Sequence, residues 1–214
     1  MKFLKQSIIV FLLPFFGFAQ YAEDEWEERD NWMDTAFIFE KAGVTQGSYV
    51  ADIGCHEGYL SVRLANTVGA RGRVYAVDVV AHRLETLKEN LKTRNLQNVN
   101  VILGGYEDPK LPKNELDVVI IMDAYHEMTN YMKILSHVNM ALKPGGTIVI
   151  VEKLKSHVKG KSRDEQTNAH SLGTKYVKEE LHKAGFKVTY KNNDVGHWEN
   201  DENKVIWMLV AKKE

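Results

Sequence analysis

The chain has 214 residues, 44% of them hydrophobic and 27% charged, with one Cys and a formal net charge of −1. Those proportions exclude a disordered chain, a collagen repeat and a disulfide-stapled scaffold, and the length fits one domain. With 28 basic against 29 acidic residues, the basic excess that a phosphate backbone attracts is missing, so no nucleic-acid partner is expected.

Residues 1–20, MKFLKQSIIVFLLPFFGFAQ, place Lys2 and Lys5 first, then an apolar run from Ile8 to Phe16, then small residues at Gly17 and Ala19. Positive, apolar and small, in that order, is the pattern of a secretory signal peptide. The run is too short for the roughly 20 apolar residues of a permanent membrane span. Cleavage near Ala19 or Gln20 is expected. It implies an exported, periplasmic or secreted chain with no membrane attachment; a misread leader would leave the chain in the cytoplasm.

One domain is expected over residues 21–214. Within residues 23–41, Trp32, Met33, Ala36, Phe37 and Glu40 recur at three- and four-residue spacing. That spacing predicts an amphipathic leading helix, stopped by Gly43, inside an N-terminal segment 21–45. Beyond it, strand-like runs at 49–53, 73–79, 98–103, 116–122, 147–152, 187–191 and 205–211 are interspersed with helical stretches at 58–68, 82–93, 131–142 and 175–184. The strands are rich in Val and Ile and unbroken rather than alternating, which predicts a parallel sheet buried on both faces in a doubly wound α/β domain. The last two runs are joined by KNNDVGHWENDENK without a helix, so an antiparallel hairpin is predicted there.

The first strand ends in Asp52-Ile53-Gly54-Cys55-His56-Glu57-Gly58-Tyr59. A glycine turn between strand and helix lets backbone approach a ligand closely, at the sheet edge where such folds bind nucleotides. The second strand ends on Asp78, where a carboxylate can accept both hydroxyls of a ribose. Asp52 ahead of the glycines would repel a pyrophosphate and favour a cation. The ligand expected is therefore a nucleoside without phosphates.

At these residues the chain resembles the class I methyltransferases that use S-adenosylmethionine. The resemblance is carried by VADIGCHEGYLSVRLA (residues 50–65), VYAVDV (74–79), LDVVIIMDAYHEM (116–128) and ALKPGGTIVIVE (141–152), with Arg29-Asp30-Asn31-Trp32 upstream as in a small-molecule branch. It implies a seven-stranded sheet with the last strand antiparallel, a cofactor half at 46–153, and a lid segment plus hairpin at 154–214. It also implies that the Gly54 to Gly58 turn holds the methionine end, with Asp52, Cys55, His56, Tyr59 and Val79 among the cofactor-binding residues. Asp78 would then hold the ribose, and Glu107 or Asp108 the adenine. His56 stands where the family has a glycine, so a cofactor-binding relic without turnover is the main alternative. A nicotinamide-dependent oxidoreductase is a third reading, disfavoured by Asp52 and the missing G-x-G-x-x-G.

Methyl transfer needs alignment and, for an oxygen or nitrogen acceptor, a destination for a proton. Asp123, Tyr125, His126 and Glu127 follow the fourth strand at the same edge. Asp123 is expected beside the cofactor, and His126 is the general-base candidate because imidazole titrates near neutrality; packing under the next helix is its other reading. His170 contacts substrate or caps a helix. Trp32 would help close the cleft, and Trp198 would floor an acceptor pocket or cover a sheet edge. The polar stretch 155–171 is long enough for a binding lid. His126, Glu127 and His170 could in principle hold a metal together, but their spacing does not demand one and none is expected.

Overall fold

A computed structural model describes residues 25–214; the leader expected over 1–20 lies outside them. Seven strands form one sheet in the order β3-β2-β1-β4-β5-β7-β6. The strands are β1 (Tyr49–Ile53), β2 (Arg73–Asp78), β3 (Val99–Leu103), β4 (Leu116–Met122), β5 (Leu142–Lys155), β6 (Phe186–His197) and β7 (Lys204–Lys213). Strands β1 to β5 pair in parallel, and β7 runs antiparallel between β5 and β6. The expected architecture and the terminal hairpin are both present.

Alternate residues of each central strand face opposite layers. Val50, Val74, Val118, Ile120 and Val149 pack against α2 (Thr35–Ala42), α3 (Tyr59–Val68) and α4 (Ala81–Thr93). Ala51, Val119, Ile121, Ile148 and Ile150 meet α5 (Tyr131–Ala141) and α7 (Thr174–Lys183) on the other side. Burial on both faces is the reason the strands read as unbroken apolar runs. Among the described residues no helix is long and apolar enough to cross a membrane.

The leading helix is two helices. α1 (Trp26–Asp30) stops within two turns, and Asp34 starts α2 afresh by accepting the backbone N–H of Phe37 at 2.9 Å. The core-facing residues of α2 are Ile38, Phe39 and Ala42, while Ala36 and Glu40 of the predicted stripe are exposed, so the three- and four-residue spacing marked neither the break nor the buried side.

The predicted lid is not a free loop either. Its first residue, Lys155, ends β5, and its middle forms α6 (Arg163–Asn168), opened by a reciprocal Ser162–Glu165 cap. Gln166, buried, accepts the N–H of Gly173 at 2.8 Å and donates to the carbonyl of Lys161 at 3.0 Å. The segment is fastened at both ends.

Candidate active site

The carboxyl ends of β1, β2, β4 and β5 open into one cleft of about 930 Å³, the place where open α/β sheets bind ligands. One end is built by the turn after β1. Gly54 has φ +82°, and a Cβ there would lie 2.4 Å from Ala124 Cβ. Gly58 has φ +100° and abuts Leu87. Both positions therefore need glycine, one for close approach to the β4 end and one to launch α3.

Asp78 is buried, and its two carboxylate oxygens accept the N–H groups of His56 at 3.0 Å and Val80 at 2.9 Å. This fixes the carboxylate at the cleft wall and leaves lone pairs for ligand hydroxyls. Asp52 lies under the turn and accepts from Ser61 Oγ at 2.6 Å. Burial raises its pKa to about 7, the Ser61 bond opposing. Burial also pushes the Cys55 thiol well above its ordinary value, which keeps it protonated and unreactive.

His56 takes the left-handed backbone, φ +50°, that a glycine would adopt there. Burial first, then the neighbouring Arg83, Arg29 and His82, lower its imidazole to about 3. The ring is neutral and adds no positive charge at the turn, and its side chain lines the cleft. Tyr59 and Val79 complete this end.

The acid expected at the adenine is not where the resemblance put it. Neither Glu107 nor Asp108 lines the cleft: Glu107 pairs with Lys133 at 2.6 Å, and Asp108 accepts the N–H of Lys110 at 2.8 Å and lies 3.4 Å from His137. Gly105, Tyr106 and Pro109 face the cleft instead.

At the other end, Asp123 is buried with φ +50° and pairs with Lys153. His126 is held from three sides. Its backbone N–H donates to Glu152 Oε1 at 3.0 Å, Nδ1 meets Glu152 Oε2 at 2.8 Å, and Nε2 lies 3.0 Å from Glu127 Oε1. Burial opposes a charge there, but Glu152, Glu127 and Asp123 outweigh it and lift the imidazole to about 10. His126 is therefore an imidazolium at neutral pH, not the near-neutral base its residue type suggests. Glu127 is driven down to about 2, mainly by the His126 bond against burial, with His170 helping. His170, exposed and at φ +51°, brings Nδ1 to 2.5 Å from the same carboxylate oxygen.

Two further expectations change. Tyr125 is fully buried among the core side chains under α5, with its hydroxyl donating to Glu180 at 2.8 Å, and does not reach the cleft. Trp32 stands behind Trp198, ring centroids 4.7 Å apart, so Trp198 alone of the two forms cleft wall.

Sequence reasoning missed Arg29, Glu152 and Lys153. Arg29 is buried with its guanidinium 4.2 Å from the Tyr59 ring and 4.8 Å from that of Trp198. Glu152 and Lys153 are also buried, and they were legible in principle: two charges straight after the apolar run TIVIV, at the edge where β4 also ends, are rarely buried unless paired and so mark a candidate site.

The family profile described as "Methyltransferase domain" matches residues 45–203. The demethylmenaquinone methyltransferase of Geobacillus stearothermophilus is 30% identical over 115 residues, which is 54% of this chain and 49% of that protein. The chain thus spans about half the length of the curated relatives it matches. Among solved structures, a SAM-dependent methyltransferase from Aquifex aeolicus superimposes with TM-score 0.74 at 22% identity, covering 89% of this chain and 98% of that one. Coclaurine N-methyltransferase bound to N-methylheliamine and SAH gives TM-score 0.65 at 15% identity, covering 84% and 71%. The cleft, the sheet order and the profile agree: the chain belongs to the methyltransferase domain family and has the fold of S-adenosylmethionine-dependent methyltransferases.

Proposed function

We propose that the chain transfers a methyl group from S-adenosylmethionine to a small polar acceptor. The observation that carries this reading is the continuity of the cleft, from the Gly54–Gly58 turn and Asp78 to Asp123, His126 and His170. Bound there, S-adenosylmethionine supplies an electrophilic methyl on a sulfonium. Asp78 accepts from the ribose hydroxyls, Asp52 offers a carboxylate below the turn to the cationic methionine end, and the neutral His56 adds no repulsion.

Arg29 and Trp198 wall the acceptor side, which restricts water and holds the acceptor in line with the methyl group. The proton of the acceptor leaves toward the exposed His170 on the cleft wall, since His126 is already an imidazolium. The quinone in the curated relatives' name is not carried over, because Lys153, Lys155, Glu127 and His170 line this end and a largely apolar acceptor would desolvate them without compensation. We further infer export through residues 1–20, which the N-terminal mass of the natively produced protein checks.

Titration calorimetry with S-adenosylmethionine and S-adenosylhomocysteine tests the reading. Binding of both is expected, with Asp78→Ala weakening each by about a hundredfold, since two hydrogen bonds to a charged acceptor contribute roughly 3 kcal/mol together. Absence of binding at millimolar ligand overturns it.

A further inference from the structure

We propose that His126, Glu127 and His170 form a three-ligand site for a divalent transition metal of the zinc class, open toward the acceptor end of the cleft. Nε2 of His126 and Nδ1 of His170 converge on one oxygen of Glu127, at 3.0 and 2.5 Å, and all three ligand atoms lie within 4.8 Å of one another. The two rings stand nearly perpendicular, 83° apart with centroids separated by 6.0 Å, so their ring nitrogens reach the shared oxygen from different directions. Two imidazoles and one carboxylate are a donor set for zinc, with a fourth position left for water or substrate.

The outer contacts argue the same way. A histidine that ligates a metal gives its other ring nitrogen to a carboxylate, which fixes tautomer and orientation. Nδ1 of the buried His126 meets Glu152 at 2.8 Å, and Glu152 also accepts the His126 backbone N–H, so Nε2 can only face the cleft. His170, at φ +51°, brings its Nδ1 to the same Glu127 oxygen from the opposite segment of the cleft wall. Tetrahedral zinc with ligands about 2.0–2.1 Å away spaces neighbouring donors by about 3.3 Å. The two contacts to Glu127, at 3.0 and 2.5 Å, are shorter than that. The two groups that must yield, Glu127 and His170, are the exposed ones, with side-chain accessibilities of 58% and 67%.

The metal site itself stands on these residues alone; a role in activating the acceptor rests on the methyl-transfer reading. On that reading, the open coordination position takes an oxygen or sulfur of the acceptor and favours its deprotonated form.

The test is calorimetric titration of the full chain, freed of metal by chelation, with Zn²⁺ alone, alongside the visible spectrum of the Co²⁺ complex. Expected are one ion per chain and the intense absorption of a four-coordinate Co²⁺ site. His170→Ala and Glu127→Gln, both at exposed positions, should each weaken binding about tenfold or more, while His182→Ala on α7 leaves it unchanged. Absence of saturable binding, or binding insensitive to His170 and Glu127, overturns the proposal. S-adenosylhomocysteine is titrated into the same preparation: if it binds and the metal does not, the metal site falls and methyl transfer stands, whereas metal binding without S-adenosylhomocysteine binding upholds the site and removes methyl transfer.

Discussion

Asp52 shows how one buried carboxyl ties binding to pH. Unfolded, it ionises near the ordinary 3.8; folded, it holds its proton to about 7 because burial penalises the anion. The folded state therefore binds the extra proton, and the stabilisation from this group is complete below about pH 4 and lost as pH rises through 7. A difference of that size is on the order of 4 kcal/mol, at 1.36 kcal/mol per unit. Asp52→Asn keeps an acceptor for Ser61 and removes the titration, so its stability curve should be flatter than that of the parent between pH 5 and 8. Thermal melts at the two pH values check this. A cationic ligand draws the proton off, so the parent should bind S-adenosylmethionine more tightly at pH 8 than at pH 6, and the variant should lose that dependence. A parent whose affinity is flat across this range contradicts the assignment of Asp52 to the methionine end.

At the level of elements, the turn after β1 is the least tolerant part of the site. Gly54 faces Ala124 Cβ, which is fixed to backbone at the end of β4, whereas Gly58 faces the tip of the flexible Leu87. Both would be strained by φ alone, but the first also collides with a group that cannot swing aside. Gly54→Ala should therefore cost about 3 kcal/mol or more, and Gly58→Ala less, in denaturant unfolding. Equal losses would mean that backbone strain, not contact, sets the penalty. The strands and this turn were legible in the sequence because a doubly buried strand shows as an apolar run and a close approach demands glycine. The break between α1 and α2 was missed because the spacing from Trp32 to Glu40 follows a face that the structure leaves largely exposed. Glu107 and Asp108 were misplaced because the chain after Gly104-Gly105 points acids outward to Lys133 and His137, a direction that spacing does not encode. His126 was found, but its charge was not, since Glu152 approaches from a strand 26 residues away.

For the whole molecule, the decisive contact is between its two ends. Trp198 from the β6–β7 connection is 2% exposed and is packed by Trp32, by the Arg29 guanidinium at 4.8 Å and by Lys153 Nζ at 4.4 Å from its ring. Trp198→Ala should destabilise the chain by about 3–5 kcal/mol, with Trp198→Phe recovering much of the loss; urea unfolding monitored by circular dichroism decides. A loss below about 1 kcal/mol, well under the usual cost of emptying a buried aromatic site, would show that α1 and the hairpin are merely adjacent.

The same contact bears on the order in which the protein folds. Tyr59 and Trp32 meet the Arg29 guanidinium from nearby in sequence, whereas Trp198 reaches it from the distant β6–β7 connection. The glycine turn, Asp78 and the strands beside them can assemble long before that, whereas contacts of such sequence separation form late and slowly. Docking of the β6–β7 connection onto α1 is therefore expected to be a late step of folding, the one that closes the cleft on the side of Trp198.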